Sequence, residues 1–188
     1  MTLSALGIFS AAGAGGAVPV IPDYELISST ILGSAQASVT FSSLGTYSST
    51  YKHLQIRFTS RSSSGTGTEG VFSRFNGDSG NNYTLHGVYG TGSSVISYAS
   101  ANINNALSGA YPANDFTANG FGAGVIDLTD AYASKFKTLR TFTGVASARV
   151  DLQSGLWRNT DTITSWVLFP VLGNWVAGSR FSLYGIKG

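Results

Sequence analysis

The sequence predicts an all-β protein, an antiparallel β-sandwich with an extended N-terminal arm, and three observations lead to this prediction. Apolar residues recur with a period of two rather than 3.6 from Asp23 onward, which is typical of half-buried strands. Segments rich in Gly, Asn and Ser separate these runs at short intervals, as tight turns require. Charged residues make up only 11 % of the chain, against about 25 % in an ordinary soluble domain.

The first twenty-two residues stand apart because none is charged and Gly and Ala dominate their centre. A secretory signal would open with Lys or Arg, and the first basic residue is Lys52. A membrane span needs about 20 mostly apolar residues, whereas glycines and Pro19 interrupt this segment. We therefore expect no membrane span but an assembly arm over residues 1–22, buried in a neighbouring protein through its apolar side chains: Leu3, Leu6, Ile8, Phe9, Val18 and Ile21.

Residues 23–188 are expected to form one domain of short strands, and the early strands each show an apolar face. The segment YELISSTIL opens the domain directly after the arm. In QASVTFSSL, Val39 and Phe41 share a face, and in KHLQIRFTSR the alternation directs Leu54, Ile56 and Phe58 inward. EGVFSRF continues the pattern with Val, Ser and Phe on one side.

The later part of the chain contains one ambiguous stretch and three further strands. DLTDAYASKFKTL (127–139) offers a helical turn capped by Asp127 or Thr129, in competition with a strand that begins near Phe136. In ARVDLQSG, Val150 and Leu152 form the expected apolar face. TITSWVLF and RFSLYGIKG complete the set. Eight to ten such strands with little helix predict a jelly roll, although other Greek-key orders share this pattern.

Residues that carry catalytic chemistry are few and dispersed. The chain has no cysteine, its histidines, His53 and His86, lie thirty-three residues apart, and its only glutamates are Glu25 and Glu69. Metal sites need clustered histidines and carboxylates, and glycosidases need paired carboxylates. The loop FNGDSGNNY has a single carboxylate, Asp78, which turn formation explains. We therefore expect no enzyme, no metal and no cofactor.

The basic residues do not form a nucleic-acid-binding surface. Formal net charge is only +2, and Lys and Arg are scattered rather than clustered. Lys135, Lys137 and Arg140 come closest to a patch, and we expect them to be solvated along a strand.

One loop combines an aromatic side chain with polar neighbours. Trp157, Arg158, Asn159 and Asp161 follow one another within five residues. An indole can stack on a sugar ring while the polar groups bind its hydroxyls, so the loop is a candidate for ligand binding. In the competing structural interpretation, which we favour, Trp157 packs under its own loop and Arg158 pairs with Asp161.

The order of several segments resembles a group of short virion proteins and fibre-end domains of tailed bacteriophages. These segments are YELISSTILGSAQASVTFSSLGTYSSTYKHLQIR, RFNGDSGNNY, SGLWRNTDTITSWVLF and AGSRFSLYGIKG. The resemblance runs from about Tyr24 to Gly188, and SALGIFSAAGAGG is similar to the arm of the short members. It implies a β-sandwich on the particle surface, and it supplies no catalytic residue.

The expected function follows from the arm and from this resemblance. The chain is expected to be an auxiliary virion structural protein of the decoration type, attached to phage capsid or tail proteins through its arm. We expect a homo-oligomer, with a trimer favoured. The alternative is a module at a tail-fibre end that binds a host receptor or surface glycan.

Overall fold

The computed structural model describes residues 23–188 except 66, 114, 115 and 147. Over this part of the chain it confirms the all-β prediction, since strands in two antiparallel sheets pack together as a sandwich. The assembly arm, with its apolar residues from Leu3 to Ile21, lies outside the described residues.

The described residues form twelve strands and one short 3-10 segment, Leu44–Tyr47. In chain order the strands are β1 (Tyr24–Ile31), β2 (Val39–Phe41), β3 (His53–Ser60), β4 (Thr68–Phe75), β5 (Tyr83–Gly90), β6 (Val95–Ile103), β7 (Ala106–Pro112), β8 (Gly122–Thr129), β9 (Lys137–Val145), β10 (Arg149–Trp157), β11 (Trp166–Pro170) and β12 (Arg180–Ile186).

Strand pairing follows the jelly-roll order. The first strand, β1, pairs with the last, β12, and β2 pairs with β11. Further inward along the chain, β3 pairs with β8 and β4 pairs with β7. The chain is thus paired from its ends toward its middle, as in a long hairpin rolled into two sheets.

Two inserted hairpins widen one of these sheets. Strands β5 and β6 are inserted between β4 and β7, and strands β9 and β10 between β8 and β11. All four join the sheet of β8, which therefore has eight strands in the order β1-β12-β3-β8-β9-β10-β5-β6. The other sheet keeps four strands in the order β2-β11-β4-β7. The narrower sheet leaves the far end of the wide one, at β6, largely exposed on both faces.

The core lies between the sheets and confirms the alternation predicted for β3. Leu54, Ile56 and Phe58 are almost completely buried. The side chains between them point away from the second sheet. Trp157, Trp166 and Trp175 are all fully buried as well, so the three tryptophans are core residues.

The prediction for β10 is wrong, because its two faces are reversed. Val150 and Leu152 are 51 % and 52 % exposed, whereas Asp151 and Gln153 are buried. The cause lies at the end of the strand, where Trp157 enters the core. A strand alternates strictly, so an inward indole at position 157 turns every even-numbered residue of β10 outward.

The stretch 127–139 forms no helix, and its basic residues are not all solvated. Strand β8 runs to Thr129, a turn follows, and β9 starts at Lys137. Lys137 is fully buried, and its ammonium group donates to the carbonyls of Ala133 at 2.6 Å and Lys135 at 2.7 Å. Burial lowers the pKa of Lys137 below its ordinary value. This lysine therefore holds the β8–β9 turn rather than a charged ligand.

Candidate interaction surface

Large apolar side chains lie exposed on the outward face of the eight-stranded sheet, which points away from the four-stranded sheet. They belong to neighbouring strands, β9, β10, β5 and β6. We call this set the apolar stripe; its members have exposed fractions between 37 % and 77 % and are Val88, Val95, Phe142, Val150 and Leu152.

Strand register makes the apolar stripe continuous. Leu152 lies directly opposite Phe142 on one side and Val88 on the other. The next row on the same face holds Val150. The residues opposite Val150 on β9 and on β5 are both glycines, and Val95 of β6 lies opposite the β5 glycine. Side chains opposite one another in a sheet are about 4.5–5.5 Å apart at Cβ, so these residues form one patch. Contiguous exposed apolar patches of this kind mark interaction sites in soluble proteins.

Polar side chains lie on one side of the apolar stripe, where Arg140 of β9 is followed across the sheet by β8 and β3. Asp127 accepts a hydrogen bond from Gln55 at 2.7 Å and faces Arg140 at 3.3 Å. Gln55 in turn accepts hydrogen bonds from the Tyr24 hydroxyl at 2.7 Å and from Arg57 at 3.1 Å. Protein–protein interfaces commonly combine an apolar centre with polar groups at the rim, and this hydrogen-bonded network supplies such polar groups on one side of the stripe.

The two histidines lie in different settings, His53 in a backbone contact and His86 on the surface. His53 accepts a hydrogen bond from the backbone N–H of Asp130 at 2.8 Å. His86 lies beside Ser154 at an open groove of about 600 Å³ on the outward face. Among the described residues, no group of three His, Asp or Glu side chains is placed to hold a metal ion.

The inner face of the wide sheet carries a buried ion pair in β10. Arg149 donates to both carboxylate oxygens of Asp151, with Nε at 2.7 Å, and Asp151 is fully buried. The guanidinium also lies 3.8 Å from the ring centre of Tyr89 on β5. Burial acts to lower the pKa of Arg149, but the hydrogen bonds and charge of Asp151 outweigh it and raise that pKa. The pair therefore fastens β10 to the inserted β5–β6 hairpin.

The loop proposed for ligand binding presents no aromatic face. Trp157 is fully buried, with its ring 5.4 Å from Phe75 and 6.4 Å from Tyr83 between centroids. Its indole N–H donates to the Asp78 carboxylate at 2.6 Å. Burial acts to raise the pKa of Asp78, but hydrogen bonds from Trp157, the Asn82 side chain and a backbone N–H outweigh it, so that pKa is lowered. The indole is a core residue and cannot stack on a sugar ring.

The polar members of this loop bind neighbouring segments and one another. Arg158 donates to the carbonyl of Asn81 at 2.6 Å and to the side chain of Asn102 at 2.7 Å, rather than to Asp161 as the structural interpretation expected. Asn159 accepts a hydrogen bond from the backbone N–H of Asp161 at 2.8 Å. Arg158 thus ties the 157–161 loop to the ends of the β5–β6 hairpin.

The apolar stripe was not anticipated from the sequence, although one signal was present. Val150 and Leu152 have the opposite parity to Trp157 in the same strand. When a tryptophan and two aliphatic residues alternate out of phase in one strand, burial of the tryptophan leaves the aliphatic residues on the outward face.

Comparison with protein-family models, curated proteins and solved structures finds no match to this chain. No helix in the described residues is long and apolar enough to cross a membrane.

Proposed function

We propose that this chain is a non-enzymatic structural protein of a tailed-bacteriophage particle, fixed to capsid or tail proteins at the particle surface. The arm of residues 1–22 is the primary anchor, and the sandwich is the module that faces outward. Two features support the proposal: the resemblance of the sequence segments to such proteins, and the exposed apolar stripe, which is the structural observation that carries it.

The apolar stripe suits permanent contact with another protein. Burying apolar surface contributes about 25 cal/mol per Å². Complete burial of a large apolar side chain contributes about 1.5–3 kcal/mol, so a partner that covers a half-exposed one should gain roughly half of that free energy. None of the five members is charged. A neighbouring particle protein with a flat apolar surface therefore covers the stripe without the cost of removing a charged stripe residue from water. Repetition over many copies turns a modest contact into particle stability.

The alternative function, a glycan-binding module at a fibre end, gains no support from the 157–161 loop. That interpretation depended on an exposed indole at Trp157, which is buried. Arg158 and Asn159 bond to the protein itself, and Asp161 contributes its backbone N–H to the Asn159 side chain. The structural function is therefore the one we retain.

Replacing Leu152 with serine tests the role of the apolar stripe. We expect the variant to keep its fold, with a loss in unfolding free energy of about 1 kcal/mol or less because the side chain is already half exposed. Incorporation into particles should fall clearly, as measured by quantitative mass spectrometry of purified virions.

The matched control is Leu172→Ser, because Leu172 is equally exposed, at 52 %, but lies in the loop after β11. Incorporation of this control should stay at the level of the unmodified chain. Equal incorporation of both variants would show that the apolar stripe is not an attachment surface.

A further inference from the structure

Strand β6 lies at an open edge of the eight-stranded sheet. It is last in the strand order and pairs with β5 alone among the described strands. One row of its backbone N–H and C=O groups therefore faces away from the sheet. Seven of the first eight residues, 95–102, are exposed, and Tyr98 is half-buried. The strand is thus open on its edge and on much of both faces.

The sequence of β6 lacks the features that usually protect such an edge. VISYASANI contains no charged residue and no proline, and its one register irregularity with β5 lies at Asn102, next to the end of the strand, so residues 95–101 pair regularly. Proteins normally blunt edge strands with lysines, prolines, bulges or a covering segment, because an open edge is a template for another strand. The opposite edge of the same sheet follows that rule, since β1 carries Glu25 and a bulge between Leu26 and Ser28.

We propose that β6 pairs edge to edge with β6 of a second copy of this chain, in an antiparallel arrangement about a two-fold axis. An uncharged strand meets itself without like charges in contact, whereas a charged edge would repel its own copy. The small outward side chains of Ser97, Ala99 and Ala101 allow the two strands to approach closely. Main-chain hydrogen bonds then give affinity, as in other cases of strand addition.

This pairing has a consequence for the outward face. Residues opposite each other in an antiparallel pair point to the same side of the sheet. A two-fold axis perpendicular to the sheet therefore places the outward faces of both copies on the same side of the joined sheet. The two eight-stranded sheets become continuous, and the two apolar stripes join into one surface. The proposed contact makes a dimer, which differs from the trimer expected from the sequence. It does not depend on the proposed particle function.

Sedimentation velocity of the full chain tests the proposal with a charge placed in the edge. The unmodified protein is expected to sediment as a dimer. Ala99→Lys brings two like charges together across the two-fold axis and should raise the dimer dissociation constant roughly tenfold or more. The matched control is Ser28→Lys, which adds the same charge to the exposed, bulged β1 edge and should leave the dimer intact.

A charge-swap experiment excludes misfolding as the cause of dissociation. Mixing Ala99→Lys with Ala99→Glu should restore a dimer that contains one chain of each kind. The competing occupant of the β6 edge is the arm of a neighbouring copy. If the arm formed the contact, Phe9→Asp in the full chain would dissociate the dimer; if β6 pairs with β6, this variant should remain dimeric. A monomeric or trimeric unmodified protein, a dimeric Ala99→Lys variant, no rescue on mixing, or dissociation by Phe9→Asp would each overturn the proposal.

Discussion

Trp157→Ala is expected to lower the free energy of unfolding by about 3–5 kcal/mol, the range for truncating a buried aromatic side chain. The indole is fully buried against Phe75 and Tyr83, so its truncation leaves a cavity in the core. The substitution also leaves the Asp78 carboxylate without the indole N–H that bonds to it. Denaturant unfolding followed by tryptophan fluorescence and circular dichroism measures the loss.

The same variant separates the two interpretations of the 157–161 loop. Asn159→Ala, at a half-buried position of the same loop, should cost far less stability. If the loop bound a sugar, Trp157→Ala would abolish adsorption to host cells and leave the melting temperature nearly unchanged. We expect the reverse: a large fall in melting temperature, with no adsorption defect in particles that contain folded variant protein.

Asp151→Ala is the second substitution with a large expected effect, about 3–5 kcal/mol, because it leaves the Arg149 charge without its buried partner. The Asp151 side chain is fully buried, while that of Arg149 is 20 % exposed, so solvent compensates the guanidinium only in part. Chemical denaturation gives the change in unfolding free energy.

The double variant Arg149→Met with Asp151→Leu is the control for that substitution. Replacing both charges with apolar groups of similar size removes the ion pair without leaving an unpaired charge, so its cost should be well below that of Asp151→Ala alone. If single and double variants were equally destabilised, the loss would come from packing and not from the unpaired arginine.

Local alternation in the sequence was sufficient to predict β3 but not β10. In β3, Leu54, Ile56 and Phe58 are the only large apolar residues, so the inward face is unambiguous. In β10, Val150 and Leu152 compete with Trp157 for the core, and the alternation itself does not say which set is inward. The larger tryptophan occupies the core, and the two aliphatic residues become part of the apolar stripe.

The strand order could not be derived from periodicity. Alternation tells which residues share a face, while the jelly roll depends on pairings between distant strands such as β1 and β12. The inserted hairpins β5–β6 and β9–β10 look like other strands in the sequence, yet they create the wide sheet and its open edge. Lys137 shows the same limit, because only the folded turn brings backbone carbonyls to its ammonium group.

The candidate site was therefore missed for a physical reason. Exposed apolar residues in a strand have the same pattern as buried ones, and the sequence predicted that Val150 and Leu152 lie in the core. The aromatic residue that indicated ligand binding, Trp157, is instead the residue that fixes the register of the strand. The arm of residues 1–22 remains a prediction from its lack of charge, because it lies outside the described residues, and its role rests on the proposed function.

The proposed function is tested most directly by a cryo-electron-microscopy reconstruction of a tailed-phage particle whose genome carries this sequence. We expect density for the jelly roll on the capsid or tail surface, with the arm of residues 1–22 inserted between particle proteins and the apolar stripe covered by a protein neighbour. A mature particle that lacks the chain, or one that carries it with both the arm and the apolar stripe in solvent, would overturn the proposed function.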